Sequence, residues 1–218
     1  GGTSRYTGNT IKPDITAPGG SHYAVPLFSA DSNYNDADGW FAEVQANDSA
    51  PMQGTSMSAP VISGCVQIVI QAMGGYAEWN WTRSQSLQPK MLLLMTATET
   101  YPNLRENEAA STSPTLNRGG KDVHEGYGRV NLDAAVDAVL NSYTVGTVVT
   151  ESLGKPPTLT DISVLGQRLA WARNVQLAAG DPYSFSLNVP AGADYDLYLY
   201  NLTGTAYGEP VIVAKSIN

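Results

Sequence analysis

Cysteine is all but absent from this chain. Cys65 is the only one among 218 residues, so no disulfide can form within it and a crosslinked framework is excluded. Basic residues are scarce as well: 12 Lys and Arg stand against 20 Asp and Glu, a formal net charge of −8. A surface of that sign repels phosphate backbones and argues against nucleic acid as a partner. Charged residues make up only 15% of the chain and apolar ones 42%, a balance that excludes wholesale disorder and fits one large or two modest domains with apolar cores. Long apolar runs are missing: Val66 to Met73 is short and broken by Gln67 and Gln71, so no membrane span is expected. No secretory leader is visible, and the chain opens on Gly1-Gly2 rather than a methionine, as expected of a processed product or fragment. Histidine is nearly as rare as cysteine, with only His22 and His124.

What the chain does have is Gly54-Thr55-Ser56-Met57-Ser58-Ala59-Pro60, at the head of a helix predicted from Ser56 to about Met73. A hydroxyl at a helix N-terminus lies beside backbone N–H groups that lack an intrahelical partner, at the positive end of the macrodipole. A nucleophilic serine needs such surroundings, because its attack on a carbonyl creates an oxyanion that must be stabilised. Val61, Cys65, Ile68, Val69 and Ala72 recur near the helical period, and Val66 and Ile70 make the helix apolar nearly all round; it is expected to be buried. Pro60 is expected in the first turn, where its missing N–H costs little. Gly64 is expected at a close packing contact and Cys65 as a buried, inert thiol. Pro89 is expected to open a second helix, with Met91, Leu92, Leu94 and Met95 as core material. Asn131 is expected to cap a third, Leu132 to Leu140, with Leu132, Ala135, Val136 and Val139 on one face.

Two further segments flank the serine motif. Lys12-Pro13-Asp14-Ile15-Thr16-Ala17-Pro18-Gly19 precedes it and Gly126-Tyr127-Gly128-Arg129-Val130-Asn131 follows it. In that order and spacing, the three resemble the nucleophile motif of the subtilisin-like serine proteases (subtilases), the strand and turn before it, and the Gly-x-Gly-x-Val-Asn turn after it. The resemblance covers about residues 1 to 141. It implies an α/β fold with a mostly parallel sheet and hydrolysis of protein or peptide substrates through an acyl-enzyme. It also implies chemistry that needs no cofactor, and a secreted or cell-surface location. By the same resemblance Ser56 is the nucleophile and its own N–H one oxyanion donor. Gly54 and Thr55 set the backbone of the turn, Met57 sits beside the serine and is open to oxidation, and Pro60 helps define the helix start. Val61 stands where many members carry a histidine, which is not the catalytic one. Asp14 belongs to the Pro-Asp-Ile segment, whose implied role is structural. Members place the catalytic Asp first, then a His in a His-Gly-Thr context, then the oxyanion Asn, then the Ser, and no His-Gly-Thr occurs here. The expectation is that Asp, His and Asn come from an upstream segment or chain, and that residues 1–218 alone are inactive.

From about residue 142 the texture turns to Thr, Val, Ser and Tyr, and the period turns from helical to alternating. Strands are predicted over Pro182 to Val189, Asp194 to Tyr200 and Val211 to Ala214. With Ala179-Gly180-Asp181 ahead of them, these resemble the small antiparallel, jelly-roll-like β-sandwich (the pre-peptidase C-terminal or P-like domain) that follows many secreted subtilase catalytic domains. The division expected is therefore 1–141 for the catalytic part and 142–218 for an all-β module, incomplete at Asn218. Asp194 and Asp196 share a strand face and offer a structural calcium two carboxylates, although such a pair more often keeps a strand face in solvent. Asp31, Asp36, Asp38, Glu43 and Asp48 pose the same choice in a polar connection, and their spacing does not match an EF-hand loop. Asn47, Asn80 and Asn201 stand in glycosylation sequons. A triad complete within the chain would pair Ser56 with His124 and either Asp122 or Asp133. The Gly-x-Ser-x-Gly elbow of an α/β-hydrolase fails, however, because Ser58 stands at its final glycine, and both histidines read as structural. The remaining alternative is a catalytically inactive subtilase-like structural or surface-binding component.

Overall fold

The computed structural model describes residues 2–3, 11–20, 26–30, 49–80, 82–98, 121, 125–154, 167–193 and 195–216. They form a mixed α/β structure of three α-helices, one short 3₁₀ helix (Gly75–Glu78) and three two-stranded sheets, all antiparallel. β1 (Gly2–Thr3) pairs with β2 (Ile11–Lys12), and β3 (Leu27–Ala30) pairs with β4 (Ser49–Met52) from Leu27↔Met52 to Ala30↔Ser49. Parallel pairing among the described residues is confined to single bridges, Thr16 with Arg129 and Ser142 with Asn174. The chain divides into two compact units, Gly1–Thr16 with Cys65–Asn218, and Ala17–Gly64.

α1 (Thr55–Ala72) starts one residue before the predicted helix. Pro60 therefore lies in the second turn rather than the first, and its missing N–H withholds a bond from the Ser56 carbonyl. The expectation of burial on all sides is not met: only Cys65 and Val69 of this helix are buried, and Ile68 is 48% exposed. Among the described residues too little sheet is present to cover it. The apolar run counted from Val66 is short, yet the whole helix has a mean hydropathy of 1.2 over 18 residues, long and apolar enough to cross a membrane. The core helix of a soluble protein shares that property.

α2 (Arg83–Met95) corrects a second expectation. Pro89 does not open it but lies inside it. The start is set by Thr82, whose Oγ1 accepts from the Gln85 N–H at 3.2 Å. Gln85 in turn accepts from the Asn80 N–H at 2.6 Å and donates to the Glu78 carbonyl at 3.0 Å. Thr-x-x-Gln is a capping-box spacing, and it outweighs the proline as a start signal. Proline inside a helix costs about 3 kcal/mol, a loss offset here by packing, since Pro89 is fully buried beside Met91, Leu92, Leu93 and Leu94.

α3 (Leu132–Leu140) has the predicted bounds, with Asn131 Oδ1 accepting from the Ala134 N–H at 3.1 Å. Its buried face differs: Ala134, Ala135 and Ala138 are buried, while Leu132, Val136 and Val139 are half-buried. Small side chains let α3 approach its neighbour closely, and α2 is that neighbour. Two arginines bind its outer side. Arg168 reaches Asp133 at 3.0 Å and Asp137 at 2.6 Å, and Arg173 reaches Asp137 at 2.7 Å and Glu151 at 3.2 Å.

The first and third motifs of the sequence meet each other. The Tyr127 N–H donates to the Asp14 carbonyl at 3.0 Å, the Thr16 N–H to the Gly128 carbonyl at 2.9 Å, and the Val130 N–H to the Thr16 carbonyl at 2.9 Å. Gly126 makes this docking possible. Its φ is +70°, and a Cβ there would collide with the Asp14 carbonyl and stand 2.5 Å from the Pro13 oxygen. Gly126→Ala combines backbone strain with a clash against rigid main chain. It is expected to destabilise by about 2 kcal/mol, read as a lowered urea midpoint with unchanged slope; a midpoint equal to wild type would contradict the packing described.

In the carboxy-terminal stretch, β5 (Leu197–Asn201) pairs antiparallel with β6 (Val211–Ser216), close to two of the three predicted strands. The third, Pro182 to Val189, forms no ladder: these residues lie outside every described strand, with Tyr183, Phe185 and Leu187 exposed. Alternation specifies a face but supplies no partner, and an extended segment becomes a strand only when its backbone groups are paired.

Candidate active site

β4 ends at Met52, and the chain turns through Gln53 and Gly54 directly into α1, so Ser56 sits on a strand-to-helix turn. Gly54 adopts φ +128°, a conformation that side-chain-bearing residues rarely adopt. Its carbonyl starts the helix, accepting from the Met57 N–H at 3.0 Å and the Ser58 N–H at 3.3 Å. Its N–H donates to the Gly19 carbonyl at 2.7 Å. Thr55 and Ser56 precede the first N–H that this carbonyl captures, and the Ser56 N–H therefore has no partner inside the helix.

Exposure grades along the motif. Gly54, Thr55, Ser56 and Pro60 are exposed, whereas Met57 is half-buried. The serine hydroxyl is thus open to an incoming carbonyl, with a helix N-terminus behind it to favour developing negative charge. Cys65 is buried further along α1, and burial pushes its thiol up, which keeps it protonated and unreactive.

Asp14 is engaged elsewhere. Lys12 donates to its carboxylate at 2.6 Å, Lys90 lies at 3.1 Å, and Lys121 donates to its other oxygen while bridging to Glu209 at 2.8 Å. Burial alone would raise the Asp14 carboxyl, but the hydrogen bonds from Lys12, Lys121 and Lys90 outweigh it and hold the group well below the usual carboxylate range. Burial, with the negative charges of Glu209 and Asp14 nearby, pushes the Tyr127 hydroxyl up to about 12. A carboxylate held by three ammonium groups is committed to charge neutralisation, in keeping with a structural role for Asp14.

The other sequence candidates are placed as follows. His22 and His124 lie outside the described residues, as do Asp122, Asp194, Asn47 and the acids between Asp31 and Asp48. Asp196 is half-buried and accepts from the Tyr198 hydroxyl at 3.3 Å. Among the described residues, no group of three His, Cys, Asp or Glu stands close enough together to hold a metal ion. Asn80 and Asn201 are exposed, and Asn201 Oδ1 accepts from the Thr203 N–H at 2.8 Å. Two features escaped the sequence reading. The lysines around Asp14 come from three separate segments, and only Lys12 lies near it in sequence. Gly19 was legible as part of a Pro-Gly turn, but not as the acceptor for Gly54.

A family model described as the subtilase family (peptidase S8) matches residues 2–128. No curated protein and no solved structure matches the chain.

Proposed function

This chain belongs to the subtilase family, and on that premise we propose that it is the nucleophile-bearing part of a secreted serine endopeptidase. Membership supports hydrolase chemistry of the serine-protease kind. The observation that carries the reading is the exposed Ser56 on a strand-to-helix turn, with its own N–H at the helix start. In this mechanism the Ser56 Oγ attacks the scissile carbonyl of a protein or peptide substrate as a histidine takes its proton. The Ser56 N–H and an asparagine side chain hold the oxyanion. The tetrahedral intermediate collapses to an acyl-enzyme as the amine leaves with that proton, and water then releases the acid. The histidine, its aspartate and the asparagine come from a segment or chain upstream of the motifs, by the family order of these residues. The same upstream portion brings the parallel sheet that covers the exposed apolar sides of α1. Residues 142–218 form a β-sandwich module after the catalytic part, a reading supported by the β5–β6 hairpin; structural calcium at Asp194 and Asp196 belongs to the same reading.

The test compares residues 1–218 alone with the full-length parent protein, using a peptide substrate. The chain alone is expected to show no hydrolysis and the parent form to cleave. Turnover by residues 1–218 with nothing added would overturn the assignment of the missing groups. A parent form with intact Ser56 and no turnover would favour the inactive, surface-binding alternative.

A further inference from the structure

Two glycines adjoin the turn that carries Ser56, and they are needed for different reasons. Gly54 has open space where a Cβ would go, and its constraint is the backbone conformation, φ +128°. Gly19 carries no such backbone constraint, and what it requires is space. A Cβ on Gly19 would stand 2.5 Å from Ser58 Oγ, 2.7 Å from the Gly54 oxygen and 3.3 Å from the Gly54 carbonyl carbon. The Gly19 carbonyl meanwhile accepts the Gly54 N–H at 2.7 Å.

We propose that Gly19 is a positioning residue for Ser56, holding through its carbonyl and its missing side chain the two residues that stand two places before and two places after the nucleophile. This inference rests on the reading of Ser56 as nucleophile. The Gly54 carbonyl that a Cβ at position 19 would press against is the acceptor for the Met57 and Ser58 N–H groups, so any displacement of it passes into the first turn of α1. Ser56 lies between the two points of contact and has no way to escape the shift. The Ser58 hydroxyl can swing away at little cost, because a side-chain rotation frees it. The Gly54 carbonyl is main chain and cannot move without carrying its neighbours. A Cβ at position 19 therefore moves the nucleophile, and its own N–H with it, relative to the base and the asparagine that the proposed mechanism draws from upstream. Misplacement of a reacting atom by a fraction of an ångström to 1 Å lowers the rate of the chemical step by up to about 100-fold.

The experiment uses the parent protein in its active form, with three variants: Gly19→Ala, Ser58→Gly and Gly19→Ala/Ser58→Gly. Active-site titration normalises each to folded, reactive molecules. Gly19→Ala is expected to lower kcat by about 10- to 100-fold with KM within about twofold of wild type, and to slow fluorophosphonate acylation of Ser56 by a similar factor. Relative to Ser58→Gly, the double variant is expected to lose about as much as Gly19→Ala loses relative to wild type, because the Ser58 hydroxyl can rotate away and the main-chain clash with Gly54 remains; full recovery of kcat in the double variant would overturn the role given to the Gly54 carbonyl. Wild-type kcat and acylation rate in Gly19→Ala would overturn the proposal while leaving Ser56 in place. Failure of both alanine variants to fold would also overturn it, since Gly19 would then serve the fold and not the nucleophile. If wild-type protein were labelled at a residue other than Ser56, the nucleophile assignment itself would fall, a result distinct from the other two.

Discussion

Replacing Ser56 by alanine in the parent protein is expected to lower kcat for peptide hydrolysis by a factor on the order of 10⁶, the size of the loss when the nucleophilic serine of subtilisin is removed. The expected effect is large because the oxygen proposed to form the acyl bond would be gone, and no described neighbour offers a substitute in the same place. Ser58 lies two residues further along the helix, where the geometry that exposes Ser56 beside the turn is not repeated: Ser58 is half-buried and its N–H is already bonded to Gly54. The same substitution leaves stability within about 0.5 kcal/mol of wild type, as for other exposed sites, because Ser56 is exposed. A rate loss without a stability loss is the signature expected. A Ser56→Ala protein of unchanged activity would remove the nucleophile from this position, and a rate loss matched by unfolding would show that the residue supports the turn instead.

Asp14→Asn is expected to cost about 1 to 2 kcal/mol at pH 7, less than removing one partner of a fully buried ion pair because the cluster is only part-buried and solvent screens it. The Asp14 side chain is 20% exposed and that of Lys121 only 10%. Without the carboxylate, Lys12, Lys90 and Lys121 face one another with Glu209 as the sole acid in the bridge network described. The loss carries a definite pH dependence. A carboxyl held below its ordinary value of 3.8 gives stability that is complete above that value and is lost as the pH falls through it toward the folded one. The gap in urea midpoint between wild type and Asp14→Asn should therefore be constant from pH 7 to about pH 5 and should narrow below about pH 4. Lys121 acts at the opposite end. Burial alone would lower it, but hydrogen bonds to Asp14 and Glu209 raise it above 10.5, so its contribution is complete below that pH and fades only above it. A gap that widened on acidification would contradict the assignment of Asp14 as the hub of the three lysines.

Local signals in the chain translate well into local structure. Asn131 marks the start of α3 because a side-chain cap is written in one residue and its next three neighbours, and the observed bounds follow it. The Gly-Thr-Ser turn is legible for the same reason. Where two local signals compete, the wrong one is easily chosen: Pro89 points to a helix start, yet the cap at Thr82 and the burial of the proline put the start six residues earlier, at Arg83. Signals that depend on a partner distant in sequence are the ones that do not show. Tyr183, Phe185 and Leu187 alternate as a strand would, but a ladder needs a second strand and the described chain brings none to them. The buried face of α3 consists of alanines rather than the larger residues, and α2 is the helix it packs against. Gly19 and Gly54 meet only in the folded chain. A charge cluster such as Lys12, Lys90 and Lys121 about Asp14 likewise has no sequence pattern to announce it.

The nucleophile is the claim on which the rest depends, and covalent labelling reaches it most directly. The parent protein in its active form, treated with a fluorophosphonate, digested and mapped by mass spectrometry, is expected to carry one label, on the peptide that contains Ser56, and to lose both label and activity in Ser56→Ala. A label on any other serine, together with full activity in Ser56→Ala, would contradict the account.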